Sequence, residues 1–152
     1  MLDYPSMPTP TTTEDIDLSN HLIIQELSYD MDDLKRQSVS MLKMLNADQM
    51  EAFSGIMDAL TTKVFGFFFI YGFGGTGKTF LWTVLASTLR SRGEIVLTVA
   101  SSGIAPTLLP GGRTTHSIFA IPIQVTENSV CSIWQNSSLA NLIESNFLNY
   151  MG

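Results

Sequence analysis

The stretch Gly72-Phe73-Gly74-Gly75-Thr76-Gly77-Lys78-Thr79 restricts what this chain can fold into more than any other. It stands between an apolar run, Val64 to Tyr71, and a helical pattern, Phe80 to Arg90. The pattern G-x-x-x-x-G-K-[ST] has meaning only in such a setting, with a strand before it and a helix after it. Its glycines let successive backbone N–H groups turn inward around a phosphate, and the following helix adds the positive end of its dipole. Lys78 is placed to reach the β- and γ-phosphates, and the Thr79 hydroxyl to hold Mg²⁺. The cofactor-binding candidates are therefore Gly72, Gly74, Gly75, Thr76, Gly77, Lys78 and Thr79, with Lys78 and Thr79 also the catalytic candidates. The plainer reading, a glycine-rich turn with a solvated lysine, does not account for the flanking strand and helix.

The flanks extend the argument. Phe65 to Tyr71 is apolar at nearly every position, as expected of a central strand covered on both faces. Lys78 to Arg92 reads as a helix with Leu81, Leu85 and Leu89 on one face and Gly93 as its stop. Glu94 to Ala100 reads as a second buried strand, so the three segments form a βαβ unit with a right-handed crossover. The expected fold is α/β, a RecA-like P-loop NTPase with a parallel sheet and flanking helices. A chain of 152 residues, 45% hydrophobic and 14% charged, is large enough for one such unit with a real core.

Upstream, residues 1–20 carry Pro5, Pro8, Pro10, a threonine run and several acids, and fit an extended or disordered arm. His21 to Leu27 is a short helix candidate, with His21 capping it or lying at the surface. Asp30, Asp32 and Asp33 form an acidic turn, and Leu34, Val39, Leu42 and Leu45 continue at helical spacing. Asn46 opens an amphipathic helix carrying Met50, Phe53, Met57 and Leu60. Gln49 has two readings. It closes a capping box with Asn46, or its amide pairs with an adenine edge by donating and accepting at once.

Downstream, Ser101, Ser102 and Gly103 fall at the carboxyl end of the second strand, where ligands of open parallel sheets gather. Ser102 is a candidate N-cap for a short helix through Leu109. Thr115, His116 and Phe119 follow Arg113, and the group suits a single-stranded backbone with a base stacked on Phe119. A polar turn closing into a packed β-segment fits the same composition. Charge is unevenly spread: residues 1–59 hold 3 basic and 11 acidic side chains, residues 60–116 hold 5 and 1, and residues 117–152 hold 0 and 2. The locally basic segment is the one with the glycine-rich loop, so an anionic ligand there is compatible with the overall charge of −6. Cys131 has no cysteine partner and reads as a buried structural residue. No leader-like segment opens the chain and its apolar runs are short, so no membrane partner is expected.

Leu45-Asn46-x-x-Gln49, the glycine-rich loop, and Ala100-Ser101-Ser102-Gly103-Ile104-Ala105 running into Leu108-Leu109-Pro110-Gly111-Gly112-Arg113-Thr114-Thr115-His116-Ser117 together resemble the petite-integration-frequency (PIF-like) helicases. These are 5'-to-3' DNA helicases of superfamily one, related to RecD. The resemblance covers roughly residues 22 to 143. It implies ATP hydrolysis coupled to DNA unwinding in repair, recombination or telomere maintenance, with ATP and Mg²⁺ as cofactors and a nuclear or mitochondrial site. It implies that Gln49 reads adenine, that Gly74 to Thr79 hold the triphosphate and Mg²⁺, and that Ser101, Ser102, Gly103, Thr115, His116 and Phe119 contact single-stranded DNA.

In the family the pattern at Leu139, Ala140, Leu142 and Ile143 leads into a strand ending in Asp-Glu. Here the acids beyond Gly93 are Glu94, Glu127 and Glu144, and none ends a hydrophobic strand. Residues 21–143 are thus expected to be an incomplete first motor domain, residues 144–152 a divergent tail, and turnover by this chain alone negligible. A non-catalytic nucleotide-binding or interaction module is the alternative. Oligomeric state is not legible.

Overall fold

The computed structural model describes residues 18–62, 66–145 and 148–151. Most of the expected arm 1–20, together with Val64, Phe65 and Phe147, lies outside the described residues. Helix α1 (Leu18–Leu27) begins inside the span read as an arm. Helix α2 (Met31–Leu42) starts where the acidic turn was expected, because the Asp30 carboxylate accepts from the backbone N–H groups of Asp32 and Asp33 and caps the helix. Helix α3 (Ala47–Thr61) follows Asn46, and α4 (Lys78–Arg90) follows the glycine-rich loop.

Strand β1 (Val96–Ala100) runs down the middle of the sheet, parallel to β2 (Arg113–Thr114) on one edge and β3 (Leu148–Met151) on the other. Every residue of β1 is buried, as a parallel strand covered on both faces requires. On one face Val96 joins Leu81, Trp82, Leu85, Ala86 and Leu89 of α4 with Ile56 and Met57 of α3. On the other, Ile95, Leu97 and Val99 meet Ile118 of α5 (Thr115–Ile118) and Leu142 of α6 (Ser138–Ser145), flanked by Leu22, Ile23 and Phe119. Each fully buried aliphatic side chain in these layers contributes about 1.5–3 kcal/mol.

Three features differ from the expectations or add to them. Residues 66–71 pair with no strand among the described residues, and Phe67, Phe69 and Tyr71 stand exposed. Both edges of β1 are taken by β2 and β3, so this apolar segment finds neither a ladder nor cover. Only Ile70 packs onto the α3–α4 core. The βαβ unit read from the sequence therefore lacks its first strand. Second, the tail read from residue 144 contributes β3, in register with β1 from Val96↔Leu148 to Val99↔Met151. Third, Cys131 is exposed, in a long connection without helix or strand between α5 and α6.

The segment after β1 also differs from the expected helix through Leu109. Pro106 lacks the N–H of a regular helix and sits buried in a single 3-10 turn, Ala105–Leu108. Ser102 still satisfies a free donor there, its Oγ accepting from Ala105 N at 3.3 Å.

Candidate functional site

The glycine-rich loop closes on itself through short-range bonds. The Lys78 ammonium donates to the carbonyls of Gly72 (2.6 Å) and Phe73 (2.8 Å), and the Thr76 hydroxyl donates to the Phe73 carbonyl at 2.9 Å. Gly77 has φ 80°, a left-handed conformation, and a Cβ there would collide with the Gln49 side-chain amide. Gly77 is also the N-cap of α4 and offers no side chain to it, so the first backbone N–H groups of the helix stay available to a ligand. Thr79 is exposed at this helix start. The site fits a polyphosphate: free amides, a helix dipole and one ammonium converge where an anion is best held.

Gln49 does what the sequence left as two alternatives, in part. Its Oε1 accepts from Asn46 N (3.1 Å) while its backbone N–H donates to Asn46 Oδ1 (2.8 Å), completing the capping box. Its Nε2 donates to the carbonyl of Thr76 at 3.1 Å, so the cap of α3 is tied to the phosphate loop across 27 residues. Both ends of the amide are thus engaged with protein. A groove of ≈ 550 Å³ lies along α3 and is lined by Asp48, Glu51, Gly55 and Phe68 among others, none of them in the phosphate loop.

A second group of candidates collects at the carboxyl end of the sheet. Ser101, Ser102 and Gly103 leave β1 exposed. The pairing Ala100↔Thr114 sets the start of α5 beside them. Thr114 caps that turn, its Oγ1 accepting from Ser117 N, and His116 is exposed while Thr115 is half-buried. Phe119 packs partly against the core under β1, which limits the ring face it can offer a base.

The sequence reading missed a heavily bonded buried polar group among the described residues. Arg90, its side chain 2% exposed, donates to the carbonyls of Pro110 (2.6 Å) and Val96 (2.9 Å) and pairs with the Glu26 carboxylate at 3.5 Å. Its guanidinium also lies 4.8 Å over the Tyr29 ring. The other oxygen of Glu26 accepts from Arg113 at 3.3 Å. One local signal was present, since Arg90 stands four residues after Ala86 and prolongs the buried stripe of α4.

A glycine-rich loop closing onto a helix that packs over a parallel sheet is compatible with a P-loop helicase. The comparison with known families agrees: the PIF1-like helicase family matches residues 44–148, more than half of the chain. The chain belongs to that family. No curated protein matches the chain. Membership implies a helicase-related function, nucleic-acid binding and the use of nucleotide and metal in general. Among the described residues no helix is long and apolar enough to cross a membrane, and no group of three or more histidine, cysteine or acidic side chains could hold a metal ion.

Proposed function

We propose that the chain is the nucleotide-binding part of a RecA-like motor in an ATP-driven 5'-to-3' DNA helicase, acting in DNA repair, recombination or telomere maintenance. The observation carrying this reading is the state of Lys78. Its ammonium rests on two neutral carbonyls beside a helix start whose amides are free. A phosphate adds ion–ion attraction to the ammonium's hydrogen bonds, which neutral carbonyls do not supply. A triphosphate therefore draws Lys78 away from Gly72 and Phe73 and takes up the amides from Gly74 to Thr79.

Thr79 would hold the Mg²⁺ ion, which neutralises phosphate charge when bound. For Gln49 to read adenine, its amide must release the Asn46 N–H, the Thr76 carbonyl or both, since an adenine edge needs one donor and one acceptor. Nucleotide binding would then loosen the tie between α3 and the phosphate loop. Ser101, Ser102, Gly103, Thr115, His116 and an edge of Phe119 form the single-stranded DNA face.

A second reading, nucleotide binding without turnover by these residues alone, has its own support. Hydrolysis needs a carboxylate to orient the attacking water, and none of Glu94, Glu127 and Glu144 stands at the carboxyl end of β1, β2 or β3.

Titration with a fluorescent ATP analogue, with and without Mg²⁺ and an oligo-dT strand, tests both. Saturable, Mg²⁺-dependent binding lost in Lys78→Ala supports the motor reading. Binding indifferent to that substitution contradicts it. Steady ATP turnover by the wild-type chain that Lys78→Ala abolishes would overturn the second reading.

A further inference from the structure

Two guanidinium groups share a single carboxylate at the edge of the sheet. Glu26, its side chain 3% exposed, receives Arg90 on one oxygen and Arg113 on the other. Among the described residues these are the only ion pairs of the three groups, so the cluster carries one positive charge in excess. Arg90 cannot present that charge, being 2% exposed and spent on Glu26, Val96 and Pro110. Arg113 can, with 29% of its side chain exposed. Its bonds to Glu26 (3.3 Å) and to Gln25 Oε1 (3.2 Å) both use Nη2, which leaves Nη1 and Nε without a partner among the described residues.

The position of this charge is fixed rather than loose. Arg90 and Thr98 both donate to the Pro110 carbonyl, at 2.6 and 3.2 Å, and hold the turn that precedes Arg113. Gly111 in that turn has φ 65°, and a Cβ there would strike the Tyr29 hydroxyl and the Arg90 guanidinium. Arg113 itself lies opposite Val99, one residue from the carboxyl end of β1 and next to the Thr114–His116 turn. A guanidinium anchored through Nη2 and open at Nη1 and Nε keeps charged donors for single charge-assisted bonds to a phosphate oxygen.

We infer that Arg113, seated by Glu26 and Gln25, is a binding residue for a backbone phosphodiester of a single strand that crosses the carboxyl end of the sheet. This deepens the DNA-face reading above and rests on it. The excess charge draws the phosphate. The Glu26 anchor removes most of the rotamer freedom that an exposed arginine would lose on binding.

The test uses the full chain and fluorescently labelled oligo-dT, with affinity measured over a series of salt concentrations. Losing one phosphate contact lowers the slope of log K against log salt by about 0.7 for a single strand. Arg113→Gln is expected to lose that increment and to bind about three- to tenfold more weakly at moderate salt, whereas Arg113→Lys keeps the slope. An unchanged slope in Arg113→Gln overturns the inference.

Phenylglyoxal labelling of the wild-type chain, read by mass spectrometry, gives the answer even where a variant fails to fold. Oligo-dT is expected to protect Arg113 and leave exposed Arg92 reactive. Equal labelling of Arg113 with and without the strand contradicts the inference, and so does protection by the ATP analogue alone, which would assign the phosphate to nucleotide. Binding weakened by His116→Ala but not by Arg113→Gln defeats this inference while sparing the DNA face. A wild-type chain that ignores oligo-dT defeats both.

Discussion

The phosphate loop and the Arg90 cluster hold their polar groups in opposite ways. In the loop, Lys78 and Thr76 bond to carbonyls within six residues, the groups stay exposed or half-exposed, and Gln49 is the distant tie among the described residues. In the cluster, Arg90 gathers Glu26 from 64 residues away and Pro110 from 20, and the side chains of Arg90 and Glu26 are sealed from solvent. Water can replace the bonds of the first region and cannot replace those of the second. The first can therefore exchange partners for a ligand at little cost, while the second fixes where the strand ends point. The proposed motor, binding and releasing nucleotide against a steady nucleic-acid face, would need both kinds of region.

Arg90→Ala should break this contrast most severely. It leaves the buried Glu26 carboxylate with Arg113 alone, the Pro110 carbonyl with Thr98 alone and the Val96 carbonyl without its arginine donor, and the loss of one partner of a buried pair costs about 3–5 kcal/mol. Urea unfolding is the measurement, and a loss below 1 kcal/mol would show that the cluster is not the anchor described.

Gly77→Ala comes next. The left-handed backbone at this position costs an alanine about 1–2 kcal/mol, and its Cβ displaces the Gln49 amide. Affinity for an ATP analogue is expected to fall by more than thermal stability does. A variant that melts early but binds normally would argue that the loop conformation is structural alone.

Asn46→Ala removes the cap of α3 and should cost about 1 kcal/mol. Because the same box positions Gln49 under the loop, it should also raise hydrogen exchange at Thr76 and Gly77. Stability lost without that local change would separate the cap from the loop. The smallest effect belongs to Arg36→Ala, whose ion pair with Asp33 lies on the exposed side of α2, and thermal melting should register less than about 0.5 kcal/mol.

What could be read ahead of the structure follows the same division. The loop, the Asn46–Gln49 box and the mostly apolar run of β1 are specified by residues close in sequence, and each formed as its local chemistry dictates. The misreadings concern partners far along the chain. Phe67 to Tyr71 has the composition of a central strand, but a strand needs neighbours, and those of β1 are Arg113–Thr114 and Leu148–Met151. Nothing in Leu148 to Met151 alone announces its register with Val96 to Val99. Glu26 and Arg90 each look like ordinary charged positions on amphipathic helices, and only their meeting across the sheet edge reveals the cluster. The apolar setting read for Cys131 failed similarly, since the connection around it packs against little.

The most direct measurement is hydrogen exchange along residues 72–79 with and without Mg²⁺ and a non-hydrolysable ATP analogue. The account requires slower exchange of the Gly74 to Thr79 amides on addition of nucleotide, absent in Lys78→Ala. Exchange that is the same in both conditions, at saturating nucleotide, would contradict the claim that this loop is built to grip phosphate.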